Sequence, residues 1–296
     1  MIGGQQYERT VAMIDTSGRD FYLVDVFRVV GGKDHAKFVH SHFATVSTEG
    51  LQLRDADPYG HGTQMRNFRT DPDPELGWRV DWEIEDRYGI LPEGAKVRLR
   101  YTDLTTGAQA STAEGWITAG QYNTSVETWI PRIMVRRRSE TAPLASTFVA
   151  VIEPFGEESH IASIRRLPLH DADGASYPDS NVAVEVMLCD GSRDLLIAAD
   201  AENPLGLEPA VAGESAKLMQ PDWKFELEGE LCVVRAGKDG TIEWIALCKA
   251  GSVAVQDISV KLKGIQEYIE IAFEQQDWRV LSGSPDAVQE VVGTGR

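Results

Sequence analysis

This sequence predicts an all-β protein, a large antiparallel β-sandwich of the supersandwich-like kind with little helix. Three observations lead there. Apolar residues alternate with polar ones in segment after segment, turn dipeptides separate those segments, and the 3.6-residue apolar period of an amphipathic helix is nearly absent.

In chain order, Phe21 to Val30 (FYLVDVFRVV) is rich in β-branched and aromatic residues and follows the turn segment Thr16 to Asp20. Trp78 to Asp86 (WRVDWEIED) places Trp78, Val80, Trp82 and Ile84 on one face, and Val97 to Tyr101 (VRLRY) repeats the pattern. Val182, Val184, Val186 and Leu188 alternate through a segment that reads as a half-buried strand. Asp190-Gly191 and Asp239-Gly240 each join two apolar runs, and such pairs accept the positive φ of tight hairpins. Beyond Gly264, YIEIAF and WRVLSG read as the final strand pair. The one short helical candidate is Ala216 to Gln220, ended by Pro221. Loops are expected at Asp71 to Glu75, His170 to Ser180 and Asn203 to Glu214. Alternation continues across all three, so residues 1–296 read as a single sandwich, with 156–180 the place where it would subdivide.

Of 296 residues, 42% are hydrophobic and 25% charged, which is globular composition. The formal net charge of −17 argues against nucleic acid or anionic membrane as partner, and an acidic ligand would need a local cationic pocket. No run approaches the roughly 18 apolar residues of a membrane-spanning helix. The N-terminal segment lacks the basic and apolar regions of a signal peptide, and the compartment stays unassigned. The three cysteines, Cys189, Cys232 and Cys248, form no CxxC pair and lie in apolar strand-like runs, so they read as buried thiols.

Chemistry concentrates near His40-Ser41-His42. Residues two apart in a strand project from one face, so both imidazoles would leave together, as a metal pair or as a catalytic histidine beside a metal-held one. Two histidines on a solvated face are the plain alternative. His35, His40, His42 and His61 all fall within one window with Asp55 and Asp57, and Asp57 or His61 could complete a metal site. The plain alternative for Asp55 to Gly62, which includes Tyr59, is a polar loop. A cupin pattern is missed: Gly32 is too far from His40, Glu49 too far from His42, and Pro58-Tyr59-Gly60-His61 brings its histidine too early. In strand phase Arg132, Met134, Arg136 and Arg138 share a face; such a row can grip carboxylates or sulfates, or simply balance nearby acids in water.

The stretch YLVDVFRVVGGKDHAKFVHSH (Tyr22 to His42) resembles the start of the C-terminal sheet domain of heparinase II/III-like polysaccharide lyases. GWRVDWEIED (Gly77 to Asp86) and WIPRIMVRRRSETAPLASTFVAVIEPFG (Trp129 to Gly156) are similar to segments of the same family, so the resemblance covers roughly the first 160 residues. It implies β-elimination on uronic-acid-containing glycans: a base removes the C5 proton, a cation steadies the enolate-like carboxylate, and an acid protonates the leaving oxygen. It further implies His40 as the catalytic histidine and His42 as the neighbouring zinc ligand, with Asp57 as the matching aspartate; His61 from the same window is the further metal candidate, and Arg136, Arg138 and Tyr59 are the candidate substrate contacts. The family places a tyrosine and an Asn/His or Glu/His pair on an N-terminal α/α toroid, for which this chain has no counterpart. It lacks also a histidine between His61 and His160, where the family's zinc site draws a ligand. Activity would then require a helical toroid in cis or in trans, and the chain by itself is expected to be inactive. The resemblance implies a periplasmic or secreted setting. Two alternatives are a non-catalytic carbohydrate-binding or scaffold sandwich, using Trp78, Trp116 or Trp129 against sugar, and a cupin-like metalloprotein.

Overall fold

The computed structural model describes residues 4–60, 62–118, 128–202, 217–274 and 277–293. Its contacts fall into two units, Met1–Ser159 and His160–Arg296. In both, the alternating segments have become antiparallel strands, and the described residues contain only two single-turn 3₁₀ segments, Pro221–Trp223 and Pro285–Ala287, and no α-helix.

The first unit is a two-sheet sandwich. One sheet has the order β1 (Gln6–Asp15), β2 (Phe21–Gly31), β11 (Leu144–Phe155), β8 (Arg98–Asp103), β7 (Arg79–Ile84), β4 (Ala44–Glu49). The other runs β3 (Asp34–His40), β10 (Thr128–Arg138), β9 (Gln109–Ile117), β6 (Met65–Asp71), β5 (Arg54–Asp55). Period two turns directly into burial. Val80, Trp82, Tyr101 and Phe148 from the first sheet meet Ala110, Ile133 and Val135 from the second in one apolar layer. Each such large side chain contributes roughly 1.5–3 kcal/mol when removed from water.

That layer also holds charge. Asp25 on β2 is fully buried; it accepts two hydrogen bonds from Arg9, at 2.8 and 3.0 Å, and its other ion partner is Lys37 Nζ at 2.7 Å. Burial pushes the Asp25 pKa up, but the Arg9 hydrogen bonds and Lys37 outweigh it and hold the group below its ordinary value. Nearby Asp103, also buried, goes the other way: burial raises it, although the Tyr101 hydroxyl donates to it at 2.7 Å and the Thr105 backbone N–H at 2.9 Å.

The second unit is one nine-stranded sheet. Its main path is β12 (Ile161–Leu167), β13 (Val182–Leu188), β14 (Arg193–Ala198), β16 (Phe225–Ala236), β17 (Ile242–Val255), β18 (Ile258–Glu274), β19 (Asp277–Ser282), with β15 (Lys217–Gln220) on β16 and β20 (Val288–Val292) on β18. The Asp190-Gly191 and Asp239-Gly240 hairpins join β13 to β14 and β16 to β17 as the turn chemistry requires. Register shifts at Glu228/Gly229 and Ala250/Ser252 interrupt the long strands. Both halves of those strands contribute to a single core, from Cys232, Ile245 and Ile269 at one end to Leu227, Val253 and Val260 at the other. At the shift, a side chain on Gly229 would lie 2.4 Å from Ala250 Cβ, so only glycine fits.

Four expectations change. Lys217–Gln220 is strand β15 paired with β16, not helix: a four-residue segment gains more from sheet pairing than from one uncapped turn. Ala216 and the loop at Asn203 to Glu214 lie outside the described residues. β13 is buried on both phases rather than half-buried, because Ala183 joins the core and Glu185 is sealed by Trp223 Nε1, which donates to it at 2.8 Å, and by Arg165. Cys189 is exposed in the β13–β14 turn, whereas Cys232 is buried and Cys248 half-buried. YIEIAF and WRVLSG do pair, as β18 and β19, but β20 follows them.

Candidate functional site

The arginine row and His40 come together on the outer face of the five-stranded sheet. β3 and β10 pair with Arg132 opposite His40, Met134 opposite Phe38, Arg136 opposite Ala36 and Arg138 opposite Asp34. Residues directly opposite in an antiparallel pair project on the same side, so these eight share one face. The intervening residues Val39, Ile133 and Val135 pack into the sandwich core. Met134 joins Met65, Phe68 and Ala113 in a small outer cluster against which Ala36 and Tyr59 pack.

Tyr59 therefore belongs to this face rather than to a free loop. The Arg136 guanidinium lies 4.7 Å from the centre of its ring, and Phe38 meets the ring edge-on at 5.5 Å. Arg136 is also paired in fork fashion with Asp34, its Nε donating at 2.8 Å, and this pairing holds Asp34 below the usual carboxylate range. Arg138 is more exposed, 4.0 Å from the same carboxylate. Two of the expected cationic contacts are thus partly neutralised from within the sheet.

Arg132 is different. Among the described residues it makes no hydrogen bond or ion pair, and its Nε is buried without a partner. Its guanidinium lies over Gly115 on β9: a side chain there would come within 2.8 Å of Arg132 Cζ and Nε, so the missing Cβ is what makes room. Next to it His40 is exposed at the end of β3, with Nδ1 3.0 Å from the Ser41 carbonyl oxygen. A carbonyl only accepts, so Nδ1 carries the proton and, in the neutral ring, Nε2 is left as the basic nitrogen.

Of the expected metal ligands, His42 and Asp57 lie among the described residues. β3 ends at His40, so the alternation that would align His42 with it has no strand to act through. His42 instead stacks edge-on against Phe43 at 4.6 Å and Tyr88 at 5.4 Å. Asp57 is exposed, and His61 lies outside the described residues. No three His, Cys, Asp or Glu side chains among the described residues come together as a metal-binding group. His35 is tied down: Nε2 donates to the Gly31 carbonyl at 2.6 Å and Nδ1 meets Ser146 Oγ at 2.9 Å. Trp78 is buried in the core, while Trp116 is 36% exposed and Trp129 half-buried.

Sequence reasoning put Arg132 in the row but missed its isolation, because the deciding residue, Gly115, is distant in sequence and meets it only through the β9–β10 register. No known family model matches this chain, and no curated protein does.

Proposed function

We infer that this chain is the sheet portion of an acidic-polysaccharide lyase, presenting the outer face of the β3–β10 sheet to a uronate-bearing glycan. The observation that carries the reading is the juxtaposition of an exposed imidazole, His40, with Arg132, a guanidinium that no carboxylate among the described residues neutralises. β-Elimination next to a carboxylate needs those two functions side by side. Nε2 of His40 takes the C5 proton or returns a proton to the leaving oxygen, and Arg132 offsets the charge that builds on the enolate-like carboxylate. Arg138 and the Arg136–Tyr59 pair extend the same face and bind flanking acidic residues of the polymer. The remaining acid or base comes from a helical domain, in cis or in trans.

The test has two arms. Affinity electrophoresis in gels containing uronate polymers should retard the chain, with retardation lost in Arg132→Ala and reduced in Arg138→Ala. In the complete enzyme, His40→Ala should lower the rate of unsaturated-product absorbance by about 10²–10⁴-fold. An unchanged rate in that variant, or equal mobility with and without every acidic glycan tried, overturns the reading. Retardation without turnover in the complete enzyme favours the non-catalytic glycan-binding alternative, which draws support from the partly exposed Trp116 and Trp129. Near-stoichiometric metal in purified protein would instead favour the cupin-like alternative.

A further inference from the structure

On the other side of the same sheet, a cleft of about 410 Å³ lies between β4 and β7 of one sheet and β6, β9 and β10 of the other. This is within the range of about 300–1,000 Å³ that small-molecule sites occupy. Its polar edge is the product of one irregularity. β6 carries a bulge between Arg66 and Arg69, with Asn67 held at φ 55°, in the left-handed region. Arg66 and Arg69 stand three apart and would face opposite sides of an unbroken strand. The bulge sets them opposite Glu114 and Thr112, which lie two apart on β9, and so turns both to the cleft side. Glu114 then accepts from Arg66 Nε at 2.7 Å and Asn67 Nδ2 at 3.0 Å, and the Arg66 guanidinium covers the Trp129 ring at 4.0 Å.

A second, independent feature points to an occupant. Trp82 lines the cleft, is 0% exposed, and its indole N–H is buried with no acceptor among the described residues. A buried donor left unpaired is destabilising, and a bound acceptor would offset that cost. The cleft thus offers a bare donor at Trp82, a charged acceptor at Glu114, and hydroxyls at Thr48 and Thr112 that do both. Val46, Leu53, Pro131, Ile133 and Trp129 supply apolar wall. The ligand group that donates and accepts on an apolar frame is the hydroxyl of a sugar ring. Glu114 is already paired with Arg66, Arg69 lies 3.7 Å from Asp55, and the Arg132 guanidinium is turned over Gly115, so the ring this cleft suits is neutral. We propose that this cleft is a binding site for a single neutral pyranose, separate from the outer face bearing His40. Arg132 also borders the cleft, so His40 and Arg136 serve to separate the two surfaces.

The experiment is a titration of the full chain with neutral methyl pyranosides, and with glucuronate as a charged comparison, followed by the indole ¹⁵N–¹H resonances. At least one neutral sugar should shift the Trp82 indole signal with saturation. Trp82→Phe, which deletes the orphaned donor, should weaken that sugar about fivefold or more. Trp129→Leu, at a half-buried position, keeps the test open if the core variant does not fold, and should weaken binding by at least as much. His40→Ala and Arg136→Ala should leave the affinity unchanged. No shift with any neutral sugar, a shift that Trp129→Leu leaves intact, or tighter binding of glucuronate than of every neutral sugar overturns the proposal. Loss of binding in His40→Ala would also overturn it, by making the two surfaces one. Acidic-polymer retardation is read separately, so failure here leaves that result standing.

Discussion

Replacing Asp25 by asparagine isolates the buried charge at the centre of the first unit. The side chain keeps its shape and loses only its charge, while Lys37, with 7% of its side chain exposed, keeps an ammonium that has lost its counter-ion at 2.7 Å. Breaking a buried pair from one side costs about 3–5 kcal/mol, since the remaining charge cannot be resolvated. Arg9 adds little to that figure: its side chain is 57% exposed and can turn to water. The opposite change, Lys37→Met, leaves Asp25 still bonded to Arg9, so it should cost less, about 2 kcal/mol. For a unit of this size the Asp25→Asn loss corresponds to a drop on the order of 10 °C in Tm. Urea unfolding, followed by far-ultraviolet circular dichroism and tryptophan fluorescence, gives both values. A loss below about 1 kcal/mol for Asp25→Asn, or a larger loss for Lys37→Met, would refute the reasoning that buried ion pairing dominates here.

Acid titration should expose the same group. Asp25 is held below 3.8, so its stabilisation is present above that value and is lost as the pH falls through its lower, folded-state pKa; the gap between wild type and Asp25→Asn should narrow on acidification, and an unchanged gap refutes the assignment. Asp103 is raised above 3.8, so it contributes with the opposite sign: its stabilisation is present at low pH and is lost as the pH rises through its raised value. Asp103→Asn, which mimics the protonated form, should therefore compare best with wild type at neutral pH, as thermal melts across pH will show. Gly229→Ala should cost about 1–3 kcal/mol in denaturant unfolding because Ala250 crowds the new methyl, and adding Ala250→Gly should restore part of the loss. Thiol labelling of the native protein should find Cys189 fast and Cys248 slow. Cys232 should react only after unfolding, since burial encloses it and pushes its pKa up.

The chain pattern makes the sheets legible because burial and period two are the same physical fact. Trp78, Val80 and Trp82 announce a buried face, and it is buried. Asp190-Gly191 and Asp239-Gly240 announce hairpins, since few other pairs accept their backbone angles cheaply, and each joins antiparallel strands. Segments with weaker local preference were not legible. Lys217–Gln220 has the composition of a short helix and becomes a strand through a neighbour that alternation cannot reveal. The strand-phase argument for the histidine pair has a related limit in the fold: HSH is aligned by alternation only while the strand continues, and β3 ends at His40.

What the amino-acid order determined by itself was the β class, the turn positions and the presence of His40 with an arginine row on alternate residues, because these rest on interactions within a few residues of chain. Tertiary structure alone decided the rest. Register put Arg132 opposite His40 and above Gly115, and paired Arg136 with Asp34 and Tyr59. A single bulge turned Arg66 and Arg69 to the same side. Those outcomes depend on which strands meet and at what offset. That choice is set by the sum of many small packing energies across the sandwich, so no local pattern carries it.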